Sequence, residues 1–181
     1  MRLFALLICL LLFGRIQEGL AQETGTGPIL EEYGAVFAVP EADLNLARDK
    51  THKVIFDIYT DLGGEAEMNP LLNTVARFMN MHGQNGLSKE QMKIAVVLHG
   101  AGMKNALNDA AYRDKFGKDN PNTRLLEALD KTGVELYVCG QSMKSRGFSK
   151  EDLASPVKLS LSAMTALVHF QENGYQIINF N

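Results

Sequence analysis

The sequence predicts an α/β domain with three layers, in which a mainly parallel sheet is covered by helices on both faces. Short runs rich in β-branched and aromatic residues alternate with longer segments whose apolar residues recur at helical spacing. The connections between these runs are too long for hairpins, which favours parallel strands. Residues 94–98 are apolar without interruption, as in a strand buried on both faces.

Four strands are predicted from their composition and from the residues that follow them. The first begins at Lys53 and ends before the turn sequence Asp61-Leu62-Gly63-Gly64. The third contains Val134 and Val138 and leads directly into Cys139. The predicted strands are residues 53–60, 93–100, 134–138 and 175–180.

Asparagine–proline pairs predict the starts of two helices, because asparagine caps a helix and proline suits its first turn. Asn69-Pro70 precedes a helix that ends near His82-Gly83, and Asn120-Pro121 precedes one that ends at Thr132-Gly133. Other segments are expected to be a short helix within 101–116, a turn or loop at 140–147, a short helix capped by Ser149, and a longer helix containing Leu159, Met164, Leu167, Val168 and Phe170.

The first 21 residues are typical of a secretory signal peptide. A charged start, an apolar run at 3–13, and Gly19 and Ala21 at the −3 and −1 positions predict cleavage after Ala21. The expected product is an exported, periplasmic protein without membrane attachment. An uncleaved anchor is the alternative, although the apolar run is shorter than the roughly 20 residues that span a bilayer.

The predicted mature chain divides into an N-terminal extension, residues 22–51, and one α/β domain, residues 52–181. Within the extension, residues 33–40 are compatible with a short strand that ends at Pro40. We expect the extension to pack against the domain or against a neighbouring subunit.

The charge composition argues against nucleic acid as a partner. The chain carries 18 basic and 21 acidic residues, a formal net charge of −3, and no run of like charge reaches five residues. A nucleic-acid-binding protein would be expected to carry a basic patch or arm.

Signal cleavage would remove Cys9 and leave Cys139 as a single thiol. A single thiol forms no internal disulfide, so it is buried and inert, paired with another molecule, or kept for its reactivity. Ligand-binding and catalytic sites of parallel sheets usually lie at the carboxyl ends of the strands. This rule selects Thr60-Asp61, His99-Gly100 and Cys139-Gly140.

Three residues form the predicted catalytic set. Cys139 is the candidate nucleophile, His99 its base or orienting group, and Arg146 a planar cation able to hold an anionic sulfur species or a carboxylate. Each has a plainer interpretation: a cysteine packed as a small apolar residue, a histidine bonded to backbone, and a solvated loop arginine. Asp57 and Asp61 are further polar candidates, although turn chemistry accounts for the second.

No metal or cofactor is predicted. His52, His82 and His169 show no ligand spacing with one another. The glycines after His99 lack the Gly-Lys-Ser/Thr ending of a nucleotide loop. The domain has a flavodoxin-related appearance, but no Ser/Thr-rich phosphate loop follows the first strand.

Several motifs resemble the DsrE/DsrF-like family of sulfur-relay proteins over residues 53–181. They are Val96-Val97-Leu98-His99-Gly100, the helix start Asn120-Pro121-Asn122, and the stretch from Gly133 to Ser142 with Cys139-Gly140-Gln141-Ser142, followed by Arg146-Gly147. The resemblance implies a three-layer α/β/α domain that forms trimers or hexamers, and a cysteine persulfide carried at Cys139. It also implies a sulfur donor or acceptor, either a protein or a small thiol.

Two functions are therefore expected. The first is an exported persulfide carrier or sulfurtransferase-like protein that acts through Cys139. The second is a non-catalytic oligomeric binding or assembly module with the same fold. The expected export and the extension would distinguish this chain from the relay members of the family, which are cytoplasmic.

Overall fold

The computed structural model describes residues 24–44 and 46–180, and the predicted signal peptide lies outside them. Five strands form one sheet in the order β4-β3-β2-β1-β5, with every neighbouring pair parallel. The predicted α/β class with a mainly parallel sheet is confirmed. The strands are β1 (His52–Ile58), β2 (Met92–Leu98), β3 (Glu135–Cys139), β4 (Val157–Ser160) and β5 (Gln176–Asn179).

In the described part of the chain, five α-helices connect or follow the strands: α1 (Pro70–Gln84), α2 (Asp109–Phe116), α3 (Thr123–Lys131), α4 (Gly140–Lys144) and α5 (Ala163–Glu172). Short 3₁₀ helices lie at Lys89–Gln91, Gly100–Ala106 and Lys150–Asp152. Within the described residues, no helix is both long and apolar enough to cross a membrane.

The start of α1 follows the predicted asparagine–proline signal. The Asn69 side chain accepts a hydrogen bond from the Leu71 N–H at 3.1 Å, and Pro70 is the first helical residue. Leu72, Val75 and Met79 then place one face of the helix in the core. Local capping and apolar spacing together determine this element.

The two faces of the sheet are covered unequally. The strands progress in one direction from β1 to β4, and the chain then returns to the other side of β1 as β5. Right-handed crossovers place helices on opposite faces when the direction of progression reverses. Helices α1 and α3 therefore cover the larger core on one face, whereas α5 covers a smaller cluster on the other face.

Strand register aligns the carboxyl ends of β1, β2 and β3. Ile58 pairs with Leu98, and Leu98 pairs with Val138. The residues that follow these positions therefore lie side by side at one edge of the sheet, as expected for a parallel sheet.

Two predictions about the chain after β3 were wrong. Residues 140–144 form α4 instead of beginning a loop, since Cys139 caps a helical turn there. Leu159 belongs to the edge strand β4, which the sequence analysis missed, and α5 begins only at Ala163. β4 is four residues long and carries polar and exposed side chains, so neither periodicity nor an apolar run marks it.

The start of one helix and a predicted short strand also differ from expectation. Helix α3 begins at Thr123 after Asn122, two residues beyond the asparagine–proline pair, because the Asn120 side chain accepts from the Asn122 N–H in a local turn. Residues 33–40 form no strand of the sheet, and Val36 makes only an isolated antiparallel bridge with Gly25.

The N-terminal extension packs on α1 through a buried asparagine. The Asn80 Oδ1 accepts from the Leu30 N–H at 2.9 Å, and its Nδ2 donates to the carbonyl oxygens of Leu30, Tyr33 and Gly34. Asn73 accepts from the Gly34 N–H at 3.0 Å. These contacts satisfy backbone groups of a segment that has little regular structure of its own.

Candidate functional site

Cys139 is the last residue of β3 and the N-cap of α4. Its Sγ accepts a hydrogen bond from the Ser142 N–H at 3.4 Å, and only 5% of the residue is exposed. A Cβ atom at Gly140 would lie 2.8 Å from the Ser160 carbonyl oxygen, so only glycine allows α4 to start this close to β4. The cysteine is therefore held at a fixed strand-to-helix junction.

The Ser142 hydroxyl connects this junction to the end of β2. Its Oγ accepts a hydrogen bond from the Gly100 N–H at 3.1 Å. The Ser142 side chain is also among the groups that lower the pKa of the Cys139 thiol. Through its bond to Gly100, it ties α4, which follows β3, to the end of β2.

Hydrogen bonding lowers the pKa of the Cys139 thiol below its usual value. Burial is the largest single influence and raises the pKa, but the hydrogen bonds from the Ser142 side chain and from the backbone N–H groups of Ser142, Ala163 and Gln141 together outweigh it. Donors of this kind stabilise a thiolate, which is the nucleophilic form of cysteine. The site therefore combines burial with stabilisation of a sulfur anion.

His99 is paired with a carboxylate at the adjacent strand end. Its Nε2 lies 2.6 Å from the Asp57 Oδ1, and the other carboxylate oxygen of Asp57 accepts from the Asn179 Nδ2 at 3.3 Å. The Tyr59 ring contacts the imidazole edge to face, with centroids 5.2 Å apart. Gly100 adopts a positive φ of 53°, and any Cβ there would collide with the Tyr59 ring.

Strand alternation places Asp57, His99 and Cys139 on the same face of the sheet. Ile55 and Val97, two residues before Asp57 and His99, belong to the cluster beneath α5, and Cys139 is itself a member. Since Leu98 pairs with Val138, His99 is the lateral neighbour of Cys139. Among the described side chains, no hydrogen bond joins the imidazole of His99 to the Cys139 Sγ.

Arg146 lies at the other end of α4. Its Nη1 donates to the Ser142 carbonyl oxygen at 3.1 Å and to the Ser145 Oγ at 3.3 Å, and the residue is exposed. It lines a cavity of about 420 Å³ together with Lys104 and Lys115. Its guanidinium thus contacts the Ser142 backbone and the Ser145 side chain, and its predicted role toward an anionic ligand stays a prediction.

A second cavity, of about 260 Å³, borders the strand end that carries Cys139. Gly140 and Gln141 form one wall, and Ser160, the register partner of Cys139, forms part of another. Lys144 and Lys150 contribute positive charge among mostly apolar walls. The cavity lies next to the Cys139–Gly140 junction, although Cys139 itself is not one of its lining residues.

A network of buried asparagines, missed by the sequence analysis, holds this edge of the sheet. The Asn69 N–H donates to the Asn122 Oδ1 at 2.8 Å, and the Asn69 Nδ2 donates to the Thr60 carbonyl at 3.1 Å. The Asn122 Nδ2 donates to the Asn105 Oδ1 at 3.0 Å. The asparagines within residues 105–108 and 120–122 are the sequence feature that could have indicated this network. The network joins α1, α3 and the segment after β2, and it provides a rigid base for the site.

No group of three or more histidine, cysteine, aspartate or glutamate residues is arranged to hold a metal ion in the described part of the chain. The candidate site combines a hydrogen-bonded thiol with a carboxylate-paired imidazole, and two cavities with basic residues lie near it.

The fold and this edge define a parallel α/β protein with a thiol at the end of a strand. The sequence matches the model of the DsrE/DsrF-like family over residues 53–180, more than half of the chain, and the protein belongs to that family. No curated protein matches the chain at a significant level.

Two solved structures are similar to this fold. MTH1491, a protein of unknown function from Methanobacterium thermoautotrophicum, is 21% identical with a TM-score of 0.54, and the match covers 71% of this chain and 99% of that one. The ychN protein from E. coli is 15% identical with a TM-score of 0.50 and the same coverage of each chain. At these identities the likeness concerns the fold alone.

Proposed function

We propose that this protein is an exported persulfide carrier in which Cys139 accepts a sulfur atom from a small persulfide donor and passes it to an acceptor. The observation that supports this most directly is the set of hydrogen-bond donors around the Cys139 Sγ, which favour a sulfur anion in a buried position. Membership of the DsrE/DsrF-like family supports the same chemistry.

The proposed transfer needs no external oxidant or reductant. The Cys139 thiolate attacks the outer sulfur of a donor persulfide, R–S–SH. A bond forms between Sγ and that sulfur, the S–S bond of the donor breaks, and the donor leaves as the thiolate R–S⁻. An acceptor nucleophile then attacks the outer sulfur of Cys139–S–SH, which regenerates the Cys139 thiolate.

Access to the thiol favours a small donor. Cys139 is 5% exposed, and the cavity beside its strand end has a volume of about 260 Å³. Lys144 and Lys150 would attract a negatively charged persulfide toward that cavity. A small thiol persulfide or an inorganic polysulfide fits these dimensions and this charge.

Mass spectrometry of the intact protein after exposure to glutathione persulfide tests the proposal. We expect wild type to gain one sulfur atom, reversibly with dithiothreitol, and Cys139→Ser to gain none. Ser155 is exposed, so the double variant Cys139→Ser, Ser155→Cys supplies an accessible control thiol. If the control thiol is modified while Cys139 in wild type is not, the carrier function is wrong.

We also propose a homo-oligomer formed around α5. Within residues 24–44 and 46–180, α5 is the helix that covers the second face of the sheet, and nearby apolar side chains are exposed, including Leu161 at 71% and Met164 at 75%. Burial of such a patch is a common basis for self-association. Light scattering should show an oligomer for wild type and a smaller species for Leu161→Asp, Met164→Asp.

Export is the remaining part of the proposal. It is supported by the charged start, the apolar run and the small residues before position 22. Recovery of the protein from the periplasmic fraction with Gln22 as its first residue is the expected result. Recovery of an uncleaved chain from the membrane fraction would contradict it.

The second candidate function is a non-catalytic binding or assembly module. The burial of Cys139 within the cluster beneath α5 favours it, because an inert cysteine packs in this way. In that case Cys139→Ser should retain both the oligomer and the cellular effect of the protein. Loss of the effect with an intact oligomer would exclude this function.

A further inference from the structure

Asp57 is a nearly buried carboxylate at the end of β1, and its two side-chain oxygens have different partners. Oδ1 lies 2.6 Å from the Nε2 of His99, and Oδ2 accepts from the Asn179 Nδ2 at 3.3 Å. The three residues come from β1, from the end of β2 and from β5, so the sheet itself fixes their positions. Buried carboxylates are costly without such partners.

This contact determines which nitrogen of the His99 ring carries a permanent proton. An ionised carboxylate only accepts hydrogen bonds, so the Nε2 of His99 is the donor to Asp57. With the proton on Nε2, Nδ1 is the nitrogen of the neutral ring that can accept a hydrogen bond.

The same contact restrains the ring on the face of the sheet where the thiol lies. In strand order His99 lies between Asp57 and Cys139, because β2 lies between β1 and β3. Tyr59 contacts the ring edge to face and restricts its rotation further. The order carboxylate, imidazole, thiol across three adjacent strands is the arrangement in which a carboxylate orients a base toward a nucleophile.

We propose that Asp57 is a positioning residue that holds His99 in its Nε2–H form, so that Nδ1 serves as the proton acceptor and donor for sulfur transfer at Cys139. This inference rests on the proposed persulfide function. Nδ1 takes the thiol proton as Sγ becomes nucleophilic, and the resulting imidazolium returns that proton to the departing R–S⁻ of the donor. Protons and electrons balance within the protein and the persulfide donor.

The variant Asp57→Asn tests whether Asp57 controls the tautomer of His99 or only stabilises the fold. Asparagine has nearly the same shape, but its amide presents either a donor or an acceptor to Nε2, so it no longer specifies the tautomer. In nitrogen-15 NMR spectra of the purified protein, with His99→Gln used to assign the signals, we expect neutral His99 of wild type to be protonated on Nε2. In Asp57→Asn we expect a mixture of tautomers or the Nδ1–H form.

The rate of sulfur uptake by Cys139 from glutathione persulfide provides the second readout. We expect Asp57→Asn to lower this rate about 10- to 100-fold, within the range contributed by general acid–base groups. Asp114→Asn, on the exposed side of α2, is the matched control and should leave both the tautomer and the rate unchanged.

The outcomes distinguish this inference from the proposed function. If wild type takes up no sulfur although His99 is the Nε2–H tautomer, the carrier function fails and the orienting contact stands. If wild type takes up sulfur and Asp57→Asn does so at the same rate, the positioning role is wrong. An Nδ1–H tautomer in wild type overturns the inference even if Asp57→Asn does not fold.

Discussion

The Ser142 hydroxyl oxygen accepts a hydrogen bond from the Gly100 N–H at 3.1 Å, and so α4 is joined to the end of β2. The Ser142 backbone N–H also donates to the Cys139 sulfur, and its side chain helps to lower the pKa of the thiol, so one residue affects both the position and the ionisation of Cys139. The hydrogen-bond environment of the thiol therefore depends on contacts between strand ends as well as on β3 itself.

Ser142→Ala should raise the pKa of the Cys139 thiol toward or beyond its usual value, because a donor to the thiolate is lost while burial remains. Hydrogen bonds to charged groups are worth about 1.5–3 kcal/mol, so the alkylation rate below that pKa should fall about tenfold. The pH dependence of iodoacetamide alkylation measures both quantities. Ser145→Ala, which removes an exposed hydroxyl one turn further on, is the control, and an equal effect there would contradict the assignment.

Gly140→Ala should destabilise the protein by about 1–3 kcal/mol, the usual cost of forcing an extra carbon into a packed site. The added Cβ would approach the Ser160 carbonyl to 2.8 Å, and neither that oxygen nor the start of α4 can shift without disturbing β3 or β4. Urea unfolding measures the change. Gly25→Ala is the control, since a Cβ at that position meets nothing within 4 Å, and an equally large loss there would show that crowding is not the cause.

Asn80→Ala should release the N-terminal extension from α1. The substitution leaves the backbone groups of residues 29–34 without their buried partners, and each such group costs about 1–3 kcal/mol. Limited proteolysis should then cut within residues 24–44 much faster than in wild type. Asn85→Ala removes only an exposed bond to the Met81 carbonyl, so the same cleavage rate in both variants would contradict the prediction.

The elements that were predicted correctly have signals that lie within a short stretch of sequence. The asparagine–proline start of α1 and the apolar run of β2 are examples, and they determine most of the fold class. β4 and α4 were missed because their stability comes from pairing with β3 and from a close approach at Gly140, which no local pattern records.

In the candidate site, too, the positions of residues could be predicted from the sequence, whereas their contacts could not. Position at the ends of parallel strands predicted Cys139 and His99, and strand register makes them neighbours. Pairing of His99 with Asp57 depends on which strands are adjacent, and donation from Ser142 depends on the turn of α4. Both are tertiary relationships, so sequence alone supplied the residues without their partners.

His82 should make stability depend on pH. Burial lowers the pKa of its imidazole below 6.5 in the folded protein; the hydrogen bond to the Phe78 carbonyl opposes this shift, and the nearby His52 reinforces it. The unfolded chain therefore binds a proton more readily, so the folded state loses stability as the pH falls below about 6.5 and through the folded pKa.

Urea unfolding of wild type and His82→Gln at pH 7.5 and 5.5 measures this effect. We expect the loss of unfolding free energy between the two pH values to be smaller in the variant, because all other titrating groups are shared. Equal losses in the two proteins would show that His82 is not responsible.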